Sequence, residues 1–391
     1  MIELAVENKV PGASIKVIGV GGAGGNTLNS IIASGYKGVE YIVANTDAQA
    51  LEHSKADVKI QLGVKSTKGL GTGANPDLGK RAAEEDIDKV MEAVEGADIV
   101  FLTGGMGGGT GSGALPVIAR ALKEKGILCI AVVTKPFIFE GKRRAQIANQ
   151  IIEQLQKDVD TLIVIPNQKL LEIVDSNVSM IEAFDMINLV LGQSVKSISD
   201  IIANPGHINV DFADVRTIMK DRGLALMGTS RASGAERAMQ ATLDATSSPL
   251  LENMNIQGAR AVLLNITGGS NLSLHEISQA ASIIYEMADA DAQIILGSVI
   301  DQRLTDEVIV TIIATGFEKQ VVHGIQPATV EVQPEQEVVA KAAAHVEQEE
   351  VEHAADAHEE QIDEALALID QNDLDVPAYL RKHAREKSEN V

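Results

Sequence analysis

Glycine dominates two short segments of this chain, and both have the character of phosphate-binding turns. The first reads GVGGAGGN (residues 19–26) and the second GGMGGGTGSG (residues 104–113). Each follows a β-branched apolar run and precedes an amphipathic one, which predicts a turn from a strand into a helix. At such a turn, glycine lets the backbone approach a ligand, and the unpaired N–H groups of the helix start favour an anion. Two adjacent turns of this kind could hold a di- or triphosphate.

The first segment is ambiguous when taken alone. Gly19, Gly21 and Gly24 have the G-x-G-x-x-G spacing of dinucleotide-binding turns, and an acid, Glu40 or Asp47, follows near the expected distance of about 20 residues. A nicotinamide-dependent oxidoreductase is therefore one hypothesis. The same spacing also occurs where a tight turn merely packs a helix against a sheet.

The second segment is more specific. Seven of its ten residues are glycine, with Thr110 and Ser112 between them. No Lys-Ser/Thr pair follows, so the segment is not a Walker-type phosphate loop. A flexible linker would not be flanked by a strand and an amphipathic helix. Phosphate charge would have to be met here by backbone dipoles, by hydroxyls and by a metal ion.

Two pairs of charged residues also have spacings that place them side by side. Asp211 and Asp214 begin a predicted helix, where they can cap it or can polarise a water molecule. From the residues alone, capping is the simpler interpretation. Glu140 and Arg144 are four residues apart, which is typical of an ion pair on a helix surface.

The elements around these residues predict a doubly wound α/β fold. The candidate strands are continuously apolar, as expected for a parallel sheet covered on both faces. They are residues 15–20, 39–44, 58–62, 99–103, 127–134 and 161–165. One helix is predicted to begin at Asn75-Pro76 and to continue to Val94, and another to carry Leu115, Ile118 and Leu122.

The second half of the chain predicts a smaller α+β domain and a tail. A long helix is expected over about residues 180–202, ended by Asn204-Pro205-Gly206, and helices alternate with strands from there to about Phe317. Beyond that point large apolar residues are few, and residues 331–373 hold 14 acids against one base, Lys341. Such a composition predicts a disordered segment.

Composition and charge restrict the classes of function. The net charge of −22 disfavours binding of the whole surface to nucleic acid or to an anionic membrane. We find no signal peptide in residues 1–10 and no apolar run of the roughly 20 residues that a membrane span needs, so we expect a cytoplasmic protein. The single cysteine, Cys129, lies in an apolar run and is expected to be buried and inert.

Several motifs together resemble one known family. The run GGGTGSG (residues 107–113) is similar to the signature of the tubulin superfamily. With NTD (45–47), FEGKRR (139–144) and NVDFAD (209–214), the chain resembles the FtsZ family of bacterial, tubulin-like cell-division proteins over about residues 14–317. The resemblance resumes at DVPAYLRK (375–382), which is similar to that family's C-terminal adaptor-binding peptide.

The resemblance implies a domain organisation. It consists of an N-terminal extension (1–13), a GTP-binding domain (14–178), a central helix (179–206), a C-terminal activation domain (207–317), a disordered acidic linker (318–373) and an adaptor-binding peptide (374–391).

The resemblance also implies the residues of the site. The nucleotide would be GTP, with Mg²⁺ carried on it, and no separate protein metal site is expected. The implied nucleotide-binding residues are Gly22, Ala23, Gly24, Gly25, Asn26, Gly109, Thr110, Gly111, Glu140, Arg144 and Asn188. Asn188 would lie near the guanine, although Leu189 follows it where relatives often carry a second polar Asx residue. Asp211, Asp214 and Asn209 would complete the hydrolytic centre of the neighbouring subunit.

The function implied by the resemblance is a polymerising GTPase. Subunits would assemble head to tail into the cytokinetic ring at the mid-cell division site. Membrane adaptors and division regulators would bind Asp375, Val376, Pro377, Tyr379 and Leu380, with no direct membrane insertion. A non-hydrolysing scaffold, a plasmid-segregation protein and an archaeal relative are the alternatives to this hypothesis.

Overall fold

The computed structural model describes residues 13–36, 38–171, 178–203, 210–248 and 258–317. Predictions for residues 1–12, for Asn209 and for residues 318–391 lie outside these ranges. The strands are β1 (Ile15–Val20), β2 (Glu40–Asn45), β3 (Val58–Gln61), β4 (Ile99–Gly105), β5 (Leu128–Lys135), β6 (Thr161–Pro166), β7 (Gly223–Ser233), β8 (Ala261–Gly268), β9 (Gln293–Ile300) and β10 (Glu307–Thr315). The helices are α1 (Gly21–Ala33), α2 (Ala48–Glu52), α3 (Val64–Thr67), α4 (Pro76–Glu85), α5 (Ile87–Ala93), α6 (Thr110–Glu124), α7 (Lys142–Asp158), α8 (Asn167–Leu171), α9 (Met180–Ala203), α10 (Phe212–Met219), α11 (Arg237–Thr246) and α12 (Leu274–Met287).

The first six strands form the parallel sheet that the apolar runs predicted. The strand order is β3-β2-β1-β4-β5-β6, and each neighbouring pair in it is parallel. Alternate side chains of one strand enter two different cores, Val17 on one face of the sheet and Ile18 on the other. Both faces are thus covered, and the predicted doubly wound α/β fold is confirmed.

The predicted helix from Asn75-Pro76 to Val94 is wrong in one respect, because it is two helices. Asn75 caps α4 through its side chain, as expected, but the helix ends at Glu85. At Asp86 the backbone leaves helical geometry, and the Asp86 carboxylate accepts a hydrogen bond of 2.7 Å from the Gly63 N–H. A carboxylate that satisfies a distant backbone donor competes with continuation of the helix.

The long helix α9 separates the two halves of the described chain. It has 24 residues, which gives a length of about 36 Å. Val195 and Ile198 lie in a core shared with β5 and β8, so the helix packs against both halves.

The second half extends the same sheet. Strand β7 pairs with β6 in parallel through three residue pairs, and β10 lies antiparallel between β7 and β8. A third core lies between this part of the sheet and helices α11 and α12, and it includes Ala241, Ile284 and Val310. The smaller α+β region predicted from the sequence is therefore present.

The burial of the single cysteine and the length of the apolar runs were also predicted from the sequence. Cys129 is fully buried in β5, and burial raises the pKa of its thiol, so it is not a reactive thiolate. Among the described residues, no helix is both long enough and apolar enough to cross a bilayer.

Candidate nucleotide-binding site

Both glycine-rich segments lie at the carboxyl ends of adjacent parallel strands. Helix α1 begins at Gly21, directly after β1, so the first glycine segment forms the first turn of the helix itself. The second segment turns after β4 and enters α6 at Thr110, with Gly109 as the N-cap. Since β1 and β4 are hydrogen-bonded neighbours, the two helix N-termini lie side by side. Their first-turn N–H groups have no partners within the helix and face outward from this edge.

A cavity of about 460 Å³ lies against the two helix starts. Nine of the predicted nucleotide-binding residues line it, namely Gly22, Ala23, Asn26, Gly109, Thr110, Gly111, Glu140, Arg144 and Asn188. The remaining two, Gly24 and Gly25, do not. A Cβ on Gly24 would lie 2.5 Å from the Thr103 carbonyl oxygen, so this glycine allows α1 to pack closely on β4.

Two glycines of the lining have no structural reason to be glycine. Gly22 and Gly108 have no positive φ, and a Cβ on either would meet no protein atom within 4 Å. The other described glycines at which an added Cβ is found to meet no protein atom within 4 Å, such as Gly35 and Gly96, all have a positive φ. A methyl group there would project into space that the protein leaves open, which is where a ligand would approach the backbone.

The order of groups along the cavity follows the order of the strands. From β2 through β1, β4 and β5 to β6 there are four strand spacings, or about 19 Å. Hydroxyl groups gather at the β2 end, and the glycine turns occupy the centre. Beyond β5 and β6 come Glu140, Asn167 and the aromatic ring of Phe184. The cavity therefore changes from hydroxyl-rich to aromatic and amide-rich along its length.

Glu140 and Arg144 form the ion pair that their spacing predicted, and both face the cavity. Arg144 Nη1 donates to Glu140 Oε2 at 2.5 Å, while Glu140 Oε1 accepts from the Phe137 N–H at 3.0 Å. The second bond fixes the carboxylate at the end of a short 3-10 turn, Ile138–Glu140. Because Glu140 is held by the backbone, it can orient the more exposed guanidinium of Arg144.

Asn188 lies on the cavity side of α9. Its Oδ1 lies 3.1 Å from the Thr27 hydroxyl of α1, whose proton can also go to the Ala23 carbonyl at 3.0 Å, so α1 holds the Asn188 side chain in place. Leu189 is 64% exposed and lines a second cavity of about 280 Å³ beside α9 instead. The departure from the family pattern at Leu189 therefore lies outside the wall of the first cavity.

Three of the lining residues that sequence reasoning missed have side chains suited to contact a ligand. Asn167 is buried, and its Oδ1 has no hydrogen-bond partner among the described residues, so it is an acceptor available to a ligand. Phe184 packs edge-on against Phe137, with ring centroids 5.5 Å apart. Thr72 comes from a third glycine-containing segment, KGLGTGANP (68–76), whose repeated glycines were the available signal.

Three threonine hydroxyls meet at the β2 end. Thr46 Oγ1 lies 2.7 Å from Thr110 Oγ1, which lies 3.4 Å from Thr72 Oγ1. The contact is tight enough that a Cβ on Gly109 would come within 2.1 Å of Thr72 Oγ1. Gly109 is thus required by the packing of the 68–76 segment against α6.

Asp211 and Asp214 form the capping box at the start of α10. The Asp214 N–H donates to Asp211 Oδ1 at 2.9 Å, and the Asp211 N–H donates to Asp214 Oδ2 at 3.3 Å. Each carboxylate thus uses one oxygen for the cap, and both side chains are exposed. Neither lines the cavity described above. The structure therefore supports the capping role and separates the acids from the glycine turns.

Comparison with protein families gives two matches along the chain. Residues 14–175 match the GTPase domain of the Tubulin/FtsZ family. Residues 223–318 match the C-terminal domain of the FtsZ family.

Solved structures with the same fold include proteins from M. jannaschii and from Haloferax volcanii. An FtsZ dimer from M. jannaschii, described as empty, is 42% identical, with a TM-score of 0.76 over 79% of this chain and 89% of that chain. A single-residue mutant of the M. jannaschii protein is also 42% identical, with a TM-score of 0.75 over 78% of this chain and 92% of that chain. CetZ2 from Haloferax volcanii, a GTPγS-bound protofilament, is 22% identical with a TM-score of 0.66 over 78% of this chain and 94% of that chain, so it shows the fold alone.

Proposed function

Because the chain belongs to the tubulin/FtsZ family of GTPases, we propose that it polymerises head to tail into filaments that form the cytokinetic ring at the division site. Self-association is supported by the 42% identical relative that is described as an FtsZ dimer. The proposal includes the details that the family alone leaves open: where the nucleotide lies, how it is hydrolysed and which surfaces meet.

The main observation that supports this proposal is the pair of glycines at the centre of the cavity, Gly22 and Gly108, which no contact within the protein requires to be glycine. A triphosphate placed between them would receive N–H groups from the starts of α1 and α6. The base would lie at the β6 end, where Phe184 can stack on it and Asn167 and Asn188 can accept from and donate to its edge. The terminal phosphate would then lie at the hydroxyl-rich β2 end.

The donor set of the cavity fits Mg²⁺ carried with the nucleotide. The lining residues offer hydroxyl and amide oxygens and one carboxylate, Glu140, which is already bonded to the Phe137 N–H and Arg144. Mg²⁺ commonly keeps several waters and binds substrate phosphates with only one or two protein ligands. Thr72 and Thr110 are the hydroxyls nearest the proposed terminal phosphate, where the ion would neutralise charge.

Hydrolysis would be completed across the subunit interface. Phe184 and Asn188 lie in the first half of α9, whose last residue is roughly 22 Å beyond Asn188 along the axis, and α10 with its acids follows that end in the chain. A head-to-tail contact would bring the Asp211 and Asp214 carboxylates of one subunit to the phosphates of the next. Capping would then fix the geometry with which these acids orient the attacking water.

The cavity rim has the apolar exposure expected of a docking surface. Leu70 is 85% exposed in the segment that carries Thr72, and Ile138 and Phe139 are 75% and 65% exposed beside Glu140. Phe139 stacks on the buried Phe137 with ring centroids 4.8 Å apart, so its position is fixed. Preformed apolar groups around a ligand site suit a partner that closes over the ligand.

We expect Leu70→Asp to abolish sedimentable polymer while leaving GTP affinity unchanged. The substitution places a charge in the proposed contact, and the Leu70 side chain is not part of the cavity lining. The measurement is pelleting with GTP, GDP and ATP, in which the parent should pellet with GTP alone. Leu274→Asp is the matched control, since Leu274 is 76% exposed on α12. If both variants lose pelleting equally, the cavity rim is not a specific part of the interface.

The terminal peptide would connect the filament to the membrane through an adaptor. Its residues lie outside the described ranges, but their sequence offers Val376, Tyr379 and Leu380 as apolar anchors, followed by basic residues from Arg381 onward. A short helix bound in an apolar groove is the mode that this pattern favours. The protein would then be cytoplasmic and concentrated at mid-cell by its partner.

Deleting residues 374–391 should leave GTP hydrolysis at the parent rate and abolish recruitment to the membrane. The test is co-pelleting of the 374–391 peptide with lipid vesicles, with and without adaptor, together with localisation of the truncated protein. Strong binding to vesicles without adaptor at physiological salt would contradict the proposal, as would normal localisation of the truncated chain.

A further inference from the structure

Three threonine hydroxyls meet at the β2 end of the cavity, and one of them has no access to the ligand. Thr72 and Thr110 line the cavity, whereas the Thr46 side chain is fully buried behind Thr110. The Thr46 and Thr110 hydroxyl oxygens are 2.7 Å apart, a normal hydrogen-bond distance. The contribution of Thr46 to the site depends on which of the two hydroxyls donates.

Burial decides the direction of this bond. Among the described residues, the Thr46 hydroxyl has Thr110 as its hydrogen-bond partner. If Thr110 donated to Thr46, the Thr46 proton would be buried without an acceptor, which is costly. Thr46 must therefore donate to Thr110, and Thr110 keeps its own proton for a different acceptor.

Two acceptors could then receive the Thr110 proton. Within the protein, the acceptor is Thr72 Oγ1 at 3.4 Å, longer than an ordinary O–H···O bond. A phosphate oxygen would be a charged acceptor and would form a shorter and stronger bond. The hydroxyl of Thr110 is therefore poised to leave Thr72 when a phosphate arrives.

We infer that Thr46 is a positioning residue that directs the Thr110 hydroxyl at the terminal phosphate and thereby sets the preference for a nucleoside triphosphate over a diphosphate. The inference rests on the proposed placement of the triphosphate, in which the β2 end receives the phosphate that hydrolysis removes. A diphosphate would leave that end empty and would gain little from Thr46. The segment released by Thr110 carries Thr72 and the exposed Leu70, so the same bond connects the terminal phosphate to the rim.

The test is the ratio of the affinities for GTP and GDP. Thr46→Val keeps the shape of the side chain and removes the donor, whereas Thr46→Ser keeps the donor. We expect Thr46→Val to weaken GTP binding about tenfold and GDP binding less than about twofold, and Thr46→Ser to keep the parent ratio. Both affinities are measured by displacement of a fluorescent GDP at protein concentrations too low for assembly.

A second background tests whether Thr46 acts through Thr110. In a Thr110→Val chain, adding Thr46→Val should change the ratio no further, because the hydroxyl to be oriented is gone. The control for losing a buried hydroxyl is Thr242→Val, whose side chain is fully buried and bonds the Ala238 carbonyl far from the cavity. It should leave the ratio unchanged. Thr46→Ala replaces Thr46→Val if that variant fails to fold.

Two results would overturn the inference. One is an unchanged ratio in folded Thr46→Val, and the other is an equal loss of GTP and GDP affinity, which would indicate a purely structural role. Failure of the proposed function is recognised separately: a parent protein that does not pellet with GTP would refute the filament, and one that binds neither nucleotide would refute the placement of the triphosphate. In the second case the inference falls with it.

Discussion

Asp214→Ala should bind GTP as tightly as the parent and still assemble, yet hydrolyse at least about 100-fold more slowly. A positioned carboxylate that orients or deprotonates water contributes on the order of 10² to 10⁴ in rate. The acid lies at the start of α10, which follows α9 in the chain, and it does not line the cavity, so its loss should not affect the nucleotide of its own subunit. The measurements are GTP affinity, pelleting and phosphate release on the same preparation.

Capping complicates this variant, so a second substitution is needed. Asp214 accepts from the Asp211 N–H, and loss of that bond would cost about 0.5–1 kcal/mol of helix stability. Asp214→Asn keeps an oxygen for the cap but lacks the charge. If Asp214→Asn hydrolyses at the parent rate while Asp214→Ala does not, the residue is a cap and the catalytic assignment is wrong.

Mixing two defective chains gives the sharpest evidence for hydrolysis in trans. Asp214→Ala has an intact cavity, and Gly109→Ser has intact acids. At their shared interfaces, the acids of Gly109→Ser would meet the nucleotide of Asp214→Ala, so the mixture should recover part of the activity that neither chain shows alone. Simple addition of the two residual rates would count against a shared site.

Gly22→Ala should weaken GTP binding about 100-fold without destabilising the protein. Replacing glycine in a compatible helical conformation stabilises a protein by about 0.4–1 kcal/mol, and no protein atom lies within 4 Å of the new Cβ. The lost binding would therefore come from a clash with the ligand alone. Calorimetric titration with GTP, beside a thermal melt, tests both parts.

Gly109→Ser is the contrasting variant. Its Cβ would lie 2.1 Å from Thr72 Oγ1 and 2.8 Å from the Asn75 nitrogen, so segment 68–76 must move and both affinity and stability should fall. If Gly22→Ala binds GTP like the parent, the phosphates do not approach the α1 backbone. Weak binding by Gly109→Ser alone would not show whether the phosphates approach the backbone, because the clash with Thr72 and Asn75 is enough to explain it.

Much of the fold follows directly from the sequence because its apolar runs leave few alternatives. Continuous runs such as residues 99–103 predict buried parallel strands, and the glycine signature predicts the GTPase family, which the family matches confirm. The nicotinamide hypothesis is left without support. The bacterial origin implied by the resemblance stays a prediction, as do the individual site roles.

What the sequence did not predict depends on contacts between distant residues. The break at Asp86 comes from a hydrogen bond to Gly63, and nothing local in the helical pattern signals it. Thr72 and Asn167 reach the cavity only because the sheet brings β2, β4 and β6 to one edge. Gly24 has the right spacing for a phosphate contact, but its place is set by packing on Thr103.

The seam between β6 and β7 has a mechanical consequence. It consists of three residue pairs, the fewest of any neighbouring strands in the ten-stranded sheet, whereas β7 and β10 share nine. Hydrogen-bonded strands resist shear in proportion to the number of bonds loaded together. A pull transmitted along a row of such subunits would strain each one first at this seam, while the flanking portions of sheet remain stiff. If the chain assembles as proposed, this seam would be the most compliant pairing of the described sheet in each subunit, and the bending of a long assembly would be the sum of small rotations about these seams.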